Sequence, residues 1–384
     1  MSVTSPMGTT AAIDEQLRRR IAGQLAVRFK GEIIGPDHDR YPQARQVWNA
    51  MIDRRPGLIL RCTSTADVVS AVDVARANGL PPAVRCGGHS VSGKAMSDGG
   101  LTIDLSGLRE VTVDTERKLV HAGGGCLLGT VDAATAQHGL IVPAGIMSET
   151  GVAGLALGGG IGWFSRKHGL TCDNFVSLEL VLASGEVIEV SADENPELFW
   201  ALRGGGGNFG IVTRFTFRAH DFGPMMRIGV SVYEPAQAAA ALREYARVVP
   251  TLPRTVGWHA ALKHDMPALP FVPPEYVGKR LLMLVSMWLD DAADPAGAEL
   301  IGRLTETGEP CIKATTVLPF TRKTVAGLAP WTGRGVYVNM LNFDEQDRVV
   351  EAMGGPEKYG ELARLKARYD PRNLFRMNAN IAPA

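Results

Sequence analysis

Cysteine is scarce in this sequence, and its few copies follow no pattern. The 384 residues contain five cysteines, an odd number without CxxC spacing: Cys62, Cys86, Cys126, Cys172 and Cys311. Disulfide frameworks and the common zinc sites need paired, closely spaced cysteines. The sequence therefore indicates neither, and no metal site is expected.

An excess of charge of either sign is also missing. Lysine plus arginine and aspartate plus glutamate both total 40, so the formal net charge is zero. A protein that binds the phosphate backbone of a nucleic acid usually carries a basic surface or a run of basic residues. We expect a small-molecule substrate and no nucleic-acid partner.

Long apolar runs are absent too. The longest, 281–289, is far shorter than a bilayer span and is typical of a buried strand. The first residues are not followed by an apolar stretch of the kind that forms a signal peptide. These two observations predict a cytoplasmic protein without membrane segments.

Glycine, by contrast, is abundant. Many of the 44 glycines lie between Gly87 and Gly210, and no fixed period separates their clusters, which excludes a repeat protein. Glycines embedded between strand and helix patterns indicate tight turns or a close approach of the backbone to another group.

The pattern of apolar residues predicts an α+β protein whose character changes along the chain. Strand patterns, a capped helix over 64–79 and a hairpin over 177–190 fill the glycine-rich part. Beyond this part, strands alternate with helical stretches, as in a layer of helices over an antiparallel sheet. The predicted organisation is a cofactor domain over 1–220, an inserted substrate domain over 221–330, and a return to the first domain over 331–384.

Two glycine motifs suggest nucleotide binding, and both lack the context that such a site needs. Residues 88–95 nearly form a P-loop, but Ala95 has no hydroxyl to hold magnesium and no helix is predicted to follow. Gly205, Gly207 and Gly210 fit GxGxxG, but a helix precedes them and a strand follows, the reverse of the dinucleotide-binding order. We reject both assignments.

Four segments together resemble a known family. They are RCGGHSVSG (85–93), TGVAGLALGGGIGWFSRKHGLTCDN (150–174), the glycines of 204–210 and the tail DPRNLFRMNANI (370–381). In this order they resemble the berberine-bridge-enzyme-like branch of the FAD-linked oxidases, also called vanillyl-alcohol-oxidase or PCMH-type flavoproteins. The resemblance implies a PCMH-type FAD-binding domain with an inserted antiparallel-sheet substrate domain, which is shorter here than the family leads us to expect.

The resemblance also implies FAD as the cofactor and His89 as its covalent attachment point. In the family, the histidine of the GGH loop bonds to the methyl carbon at C8 of the flavin ring, and a neutral imidazole is the form that can attack it. Glycine loops suit the pyrophosphate because their backbone N–H groups are not screened by side chains. The residues expected to contact FAD are Arg85, Cys86, Gly87, Gly88, His89, Ser90, Gly93, Thr150, Gly151, Gly154, Gly158, Gly159, Gly160, Gly162, Asp173, Asn174, Gly210, Ile211, Val212, Asn378 and Asn380.

Some of these positions have an alternative interpretation. Asp173 and Asn174 are equally suited to a plain turn, and Asn378 and Asn380 also fit a solvated tail.

Some family members hold a second covalent bond through a cysteine, and Met147 stands at the matching position here. A thioether cannot form that bond, so a single attachment is expected.

Candidates for a catalytic base are weakly defined. The resemblance implies hydride transfer from a substrate C–H bond to the flavin, assisted by a base. The usual carrier of a glutamate base falls in the shortened stretch, and Met340 occupies the place of a family tyrosine. Three candidates remain: Tyr337, which lies on the opposite strand face from Met340, Tyr359 on the last helix, which is equally suited to packing, and His259 on a predicted strand.

We expect an oxidase that acts on an alcohol, a sugar or a natural product and whose flavin is reoxidised by O2. Two alternatives stay open. A flavin dehydrogenase would pass its electrons to another acceptor, and Thr150, which stands where relatives control oxygen access to the ring, does not decide between the two. A flavin-binding protein without catalysis would fit the shortened substrate domain and the missing bases.

Overall fold

The computed structural model describes residues 12–320 and 348–384 and confirms the α+β class. The strands are β1 Glu32–Ile34, β2 Leu58–Arg61, β3 Ala83–Arg85, β4 Leu101–Asp104, β5 Val111–Asp114, β6 Leu119–Gly123, β7 Leu140–Ile141, β8 Phe175–Val181, β9 Val187–Ser191, β10 Ile211–Arg218, β11 His220–Asp221, β12 Met225–Tyr233, β13 Val256–Lys263, β14 Leu281–Trp288 and β15 Ile312–Pro319. The helices are α1 Glu15–Leu25, α2 Tyr41–Ala44, α3 Thr65–Ala77, α4 Leu128–Ala136, α5 Val152–Leu157, α6 Ser165–His168, α7 Pro196–Leu202, α8 Pro235–Val248, α9 Pro295–Thr305, a short helix Val349–Ala352 and the C-terminal helix Pro356–Tyr369.

The first sheet positions the GGH loop. It has four strands in the order β1-β2-β4-β3, and β4 pairs in parallel with both β2 and β3. Helix α3 begins where predicted, because the Ser64 hydroxyl accepts a hydrogen bond from the Asp67 N–H at 3.2 Å and caps the first turn. The buried face of α3, which includes Val68 and Val72, packs in the same apolar cluster as the strands. The chain leaves β3 at a fixed place and enters the loop that carries His89.

The second sheet is antiparallel, with five strands in the order β5-β6-β10-β8-β9. Strands β8 and β9 form the predicted hairpin, whose turn contains Gly185 at a φ of 89°. The C-terminal helix packs against this sheet's cluster through Tyr359, Leu362, Leu365 and Tyr369, the face predicted from their spacing. This packing delivers the C-terminal tail to the same region as the glycines that precede β10.

The third sheet lies within residues 225–319, the part predicted to be an inserted domain, and is called the inserted sheet. Its strands are antiparallel in the order β13-β14-β12-β15. All eight residues of β14 are buried, as predicted for the apolar run over 281–289. Helices α8 and α9 cover one face, where Tyr233, Trp258 and Ile301 meet. The predicted strand with Tyr337 lies outside the described residues.

In the ranges 12–320 and 348–384, every helix is too short or too polar to cross a membrane.

A glycine-lined cavity as the candidate cofactor site

A cavity of about 530 Å³ lies where the four motif segments meet. Its wall is formed by Trp48, the loop that follows β3, the segment that leads into α5, the glycine turn before β10, and the tail after the C-terminal helix. Ligand pockets commonly have volumes of about 300–1,000 Å³ and are mostly apolar with a few polar groups. Segments that are far apart in sequence therefore build one site of suitable size.

Two of these segments touch backbone to backbone. A Cβ atom on Gly87 would lie 2.3 Å from the Gly151 nitrogen, and a Cβ atom on Gly151 would lie 2.3 Å from the Gly87 nitrogen. Neither position has room for a side chain. The next residue, Gly88, has a φ of 69°, which favours glycine. The close approach explains why both segments carry glycine and fixes the position of His89 beside Thr150.

The imidazole of His89 is held between two neighbours on the cavity wall. Its Nδ1 atom lies 3.4 Å from the Thr150 Oγ1 atom. Its ring stacks on Trp48, with centroids 5.4 Å apart and planes at 22°. Burial lowers the pKa of His89 below its usual value, and Glu149 opposes this shift only in part. The imidazole is therefore mostly neutral near pH 7.

Polar groups on the wall are left without partners inside the protein. Within the described part of the chain, the backbone N–H groups of Gly88, His89 and Ser90 make no hydrogen bond. The Oδ1 atom of Asn378 is buried without a partner. Buried polar groups are normally hydrogen-bonded, so this arrangement fits a polar ligand with acceptor atoms beside the GGH loop.

Lys94 brings positive character to the same wall. Burial, together with the nearby Arg54 guanidinium, lowers the pKa of Lys94 to about 8. The ammonium group is still mostly protonated at pH 7. Together with the free N–H groups of the loop, it suits a negatively charged group such as a pyrophosphate.

Cys86 has a structural role next to the loop. Its Sγ atom lies 3.4 Å from the Cys126 carbonyl oxygen. Burial raises the pKa of the Cys86 thiol to about 11, so the thiolate that would react is not formed near pH 7. The side chain fills the space beside Gly151.

The structure brings together on the wall just over half of the residues predicted to contact the cofactor. They are Cys86, Gly87, Gly88, His89, Ser90, Thr150, Gly151, Gly154, Gly210, Ile211, Val212 and Asn378.

The second glycine cluster serves the backbone rather than the cavity. Gly158, Gly159, Gly160 and Gly162 do not lie on the wall. The N–H groups of Gly158 and Gly159 already donate to the carbonyl oxygens of Leu155 and Ala156. A Cβ atom on Gly162 would lie 1.7 Å from the Ala144 oxygen. Gly162 therefore allows two backbone segments to pack closely, and the contact of Gly158 to Gly160 with the pyrophosphate stays a prediction.

The remaining predicted contacts also lie off the wall. Arg85 forms an ion pair with the buried Asp104 at 3.1 Å, and Gly93 turns the chain at a φ of 69°. Asp173 accepts a hydrogen bond from the Leu170 N–H at 2.9 Å. Asn174 donates to the Leu170 carbonyl oxygen at 2.8 Å, so the turn interpretation describes this pair. The Oδ1 atom of Asn380 is buried without a partner, away from the cavity.

No predicted base among the described residues lies on the cavity wall. His259 packs edge-on against Trp163, with ring centroids 4.9 Å apart, and burial lowers its pKa to about 4. The hydroxyl of Tyr359 accepts a hydrogen bond from the Ala382 N–H at 3.2 Å and so supports the tail. Tyr337 lies outside the described residues.

Sequence reasoning missed several wall residues. They are Trp48, Lys94, Gly205, Gly206, Gly207, Met353, Phe375 and Met377. The three glycines belong to the third shared segment, and this position in the sequence is a usable signal. Trp48 gave no signal, because its contact with His89 is set only by the folded chain.

Comparison with known proteins finds two matching families. The family described as "FAD binding domain" matches residues 56–191, and the family "Berberine and berberine like" matches residues 336–382. The (R)-6-hydroxynicotine oxidase of Paenarthrobacter nicotinovorans is 38% identical over 217 residues, which are 56% of this chain and 47% of that protein. An FAD-linked oxidoreductase of Dictyostelium discoideum is 32% identical over 307 residues, which are 79% of this chain and 63% of that protein. The matched part of the chain thus spans less than two thirds of either relative.

A solved structure extends the likeness beyond the cavity. The 6-hydroxy-D-nicotine oxidase from Arthrobacter nicotinovorans has a TM-score of 0.67 and 26% sequence identity. The match covers 93% of this chain and 98% of that one. It therefore includes the inserted sheet as well as the glycine-rich part.

Proposed function

Because this chain belongs to the berberine-bridge-enzyme-like FAD-linked oxidoreductases with a PCMH-type fold, we propose that it is an oxidase that binds FAD in the glycine-lined cavity and carries it covalently on His89. One observation supports the proposal most strongly. The imidazole of His89 lies on the cavity wall, is held from two sides and is mostly neutral near pH 7.

Residues of this chain suit the different parts of FAD. The free N–H groups of Gly88, His89 and Ser90, with the Lys94 ammonium, suit the pyrophosphate. The unpartnered Oδ1 atom of Asn378 suits a hydroxyl or N–H donor of the cofactor. When bound, FAD would supply hydride acceptance from a substrate C–H bond.

Attachment to His89 would replace one C–H bond of the flavin methyl group and the N–H bond of the imidazole with a C–N bond. Dioxygen would take up the two hydrogens and two electrons as hydrogen peroxide. A single attachment is proposed, because the thioether of Met147 lies on the wall and cannot form a second bond.

The substrate is proposed to be an alcohol, a sugar or a natural product with an apolar part. Ile146, Leu155, Ile161 and Met353 give the wall apolar patches. Within the described residues, the inserted sheet contributes nothing to the wall. Among the described residues, these apolar side chains are therefore the ones that a substrate would contact.

Acid precipitation tests the covalent attachment. Wild-type protein is purified and denatured in acid, and the yellow colour is followed in the pellet and the supernatant. We expect the colour to stay in the wild-type pellet and to move to the supernatant for His89→Ala. Colour that leaves the wild-type pellet contradicts the tether, and a colourless protein after expression with riboflavin contradicts FAD binding itself.

The oxidase activity is tested by the rate of reoxidation. Alcohols, aldose sugars and amines are first screened without oxygen for a compound that reduces the flavin. The reduced protein is then mixed with air. We expect the colour to return within seconds. Persistent bleaching would indicate a dehydrogenase, and a flavin that no substrate bleaches would indicate a binding protein.

A further inference from the structure

We propose that a second cavity, separate from the glycine-lined cavity, is a binding site for a small organic phosphate. It has a volume of about 610 Å³, and its wall carries Arg76, Arg368, Arg372 and Arg376, so we call it the arginine cavity. Among the residues that the structure describes, none lines both cavities. The proposed FAD site therefore does not account for the arginine cavity.

Three segments that are far apart in the chain form its walls. They are the end of α3 with the residues that follow it, the turn of the β8–β9 hairpin, and the chain that leaves the C-terminal helix. The hairpin turn packs against α3, since a Cβ atom on Gly185 would lie 2.7 Å from the Asp73 Oδ1 atom. The buried Asp370 carboxylate turns the outgoing chain by accepting from the Leu374 N–H at 2.8 Å. Contacts within the fold therefore hold the walls in place.

Two of the four arginines have a carboxylate partner. The Arg76 guanidinium lies 2.6 Å from the Asp73 carboxylate, and the Arg368 guanidinium lies 3.4 Å from that of Glu197. Arg368 also lies over the ring of Tyr369, 5.1 Å from its centroid. Each ion pair occupies only part of a guanidinium, which has five N–H donors. These contacts restrict both side chains and leave donors for a ligand.

The other two arginines have no acidic partner. Within the described residues, neither Arg372 nor Arg376 forms an ion pair. The wall includes two carboxylates, and that of Asp370 is already paired with the buried Lys366. Only the Glu186 carboxylate remains to offset the arginines of the described wall. The wall therefore has an excess of positive charge, which an anionic ligand would neutralise.

The chemistry of the wall favours a phosphate that carries an organic part. A guanidinium presents its donors as a planar fork, and a phosphate group offers a charge of about −1.5 to −2 and three acceptor oxygens, enough for two forks at once. A carboxylate has only two oxygens. Leu182, Tyr369 and Leu374 add apolar surface to the wall. The volume falls within the range of about 300–1,000 Å³ that is common for small-molecule sites, which leaves room for an organic part.

Calorimetric titration with phenyl phosphate tests whether the protein binds such a ligand. Phenol is the matched control, because it has the same ring without the phosphate, and inorganic phosphate lacks the ring. At constant ionic strength, we expect phenyl phosphate to bind at one site per chain and phenol to bind at least about tenfold more weakly. Equal binding of phenol overturns the inference. Inorganic phosphate that binds as tightly as phenyl phosphate overturns the proposed organic part.

The double variant Arg372→Gln/Arg376→Gln locates the bound phosphate. Both side chains are exposed, so the fold should be kept. We expect phenyl phosphate to bind about tenfold more weakly or worse. Arg364→Gln is the matched control, because Arg364 is exposed on the C-terminal helix and lies off the wall. If the double variant binds like this control, the inference is wrong.

Lys94→Gln separates the two cavities, because Lys94 lies on the wall of the glycine-lined cavity. We expect this variant to bind phenyl phosphate as the wild type does. Weaker binding in Lys94→Gln, together with unchanged binding in the double variant, would place the anion in the glycine-lined cavity and overturn the inference.

Chemical protection of the wild-type protein gives a readout that needs no variant. Phenylglyoxal modifies accessible arginines, and peptide mass spectrometry identifies the modified positions. We expect phenyl phosphate to slow the modification of Arg372 and Arg376 but not that of Arg364. Equal modification with and without phenyl phosphate overturns the inference, whether or not the protein carries FAD.

Discussion

The shape of the cavity depends on individual residues. The loop with Gly87 and the segment with Gly151 approach so closely that their backbones meet without side chains between them. The contact fixes the His89 imidazole, on which the proposed tether depends, beside Thr150.

Replacing Gly87 with alanine should separate these two segments. The new methyl group would lie 2.3 Å from the Gly151 nitrogen, so one segment must move. We expect a loss of about 2 kcal/mol or more of unfolding free energy and a clear fall in acid-stable flavin. Urea unfolding and the colour of the acid pellet measure the two effects.

Gly302→Ala is the matched control for this substitution. Gly302 lies in helix α9, and a Cβ atom there would meet nothing within 4 Å. Alanine should stabilise the helix by up to about 1 kcal/mol and leave the flavin unchanged. Equal behaviour of Gly87→Ala and Gly302→Ala would show that the loop contact is unimportant.

The glycines also show how far residue types can predict a site. The sequence predicts Gly87, Gly88 and Gly151 on the cavity wall, where the structure places them. It equally predicts Gly158 to Gly160, which lie off the wall, and Gly159 and Gly160 turn the backbone there with φ of 111° and 84°. A glycine makes room for a ligand or for another backbone, and the residue type is the same in both cases.

At the scale of elements, a buried network holds the C-terminal tail against the cavity. The Lys366 ammonium is fully buried and donates to the Asp370 carboxylate at 2.6 Å and to the Asn208 carbonyl oxygen at 2.6 Å. Asp370 also accepts from the N–H groups of Leu374 and Phe375. The network joins the C-terminal helix, the tail and the glycine turn before β10. Two of these three elements line the cavity.

Lys366→Met should weaken this connection. The methionine leaves the buried Asp370 carboxylate without its cation, and breaking a buried pair from one side costs about 3–5 kcal/mol. The two backbone N–H groups still solvate the carboxylate, so we expect about 3 kcal/mol. Thermal unfolding should occur at a lower temperature, and limited proteolysis should cut the tail after Asp370 more quickly.

The exposed Lys358 on the same helix offers the control. Lys358→Met should change the unfolding free energy by less than about 0.5 kcal/mol. If Lys366→Met behaves like this control, the network does not hold the tail.

The sequence predicts the secondary-structure elements better than it predicts the contacts between them. The apolar spacing of the last helix predicts its buried face, and that face packs as expected. The position of the tail beside Asn208 depends on amide and ammonium hydrogen bonds that join residues about 160 to 170 positions apart. Local sequence patterns do not predict hydrogen bonds between residues so far apart in the chain.

For the whole molecule, histidines mark the junction between the glycine-rich part and the inserted sheet. His168 and His220 stack with centroids 3.8 Å apart, and His220 Nε2 lies 2.7 Å from the Asn174 Oδ1 atom. Burial and the His220 ring lower the pKa of His168 to about 4. Burial also lowers the pKa of His220, and that of His259 to about 4.

These shifts predict a stability that falls in mild acid. A histidine with a depressed pKa in the folded state binds fewer protons than in the unfolded state, where the pKa is about 6.5. Unfolding free energy is therefore lost as the pH falls from about 6.5 toward 4. We expect about 1 kcal/mol from His168 between pH 7 and pH 5, after a discount for its partial exposure.

The variant His168→Phe keeps an aromatic ring and removes the titration. Its thermal unfolding temperature should depend less on pH between 7 and 5 than that of wild type. The exposed His138→Gln is the control and should keep the wild-type dependence. An unchanged pH dependence in His168→Phe would contradict this account of the junction.

We propose that this chain holds FAD through a covalent bond to His89, and mass spectrometry of the peptide that contains His89 is the decisive measurement. Trypsin cleaves after Arg85 and Lys94, so His89 is released in the peptide CGGHSVSGK over 86–94. We predict that this peptide from the wild-type protein carries the mass of a flavin on His89. An unmodified peptide from protein that has bound FAD would contradict the claim.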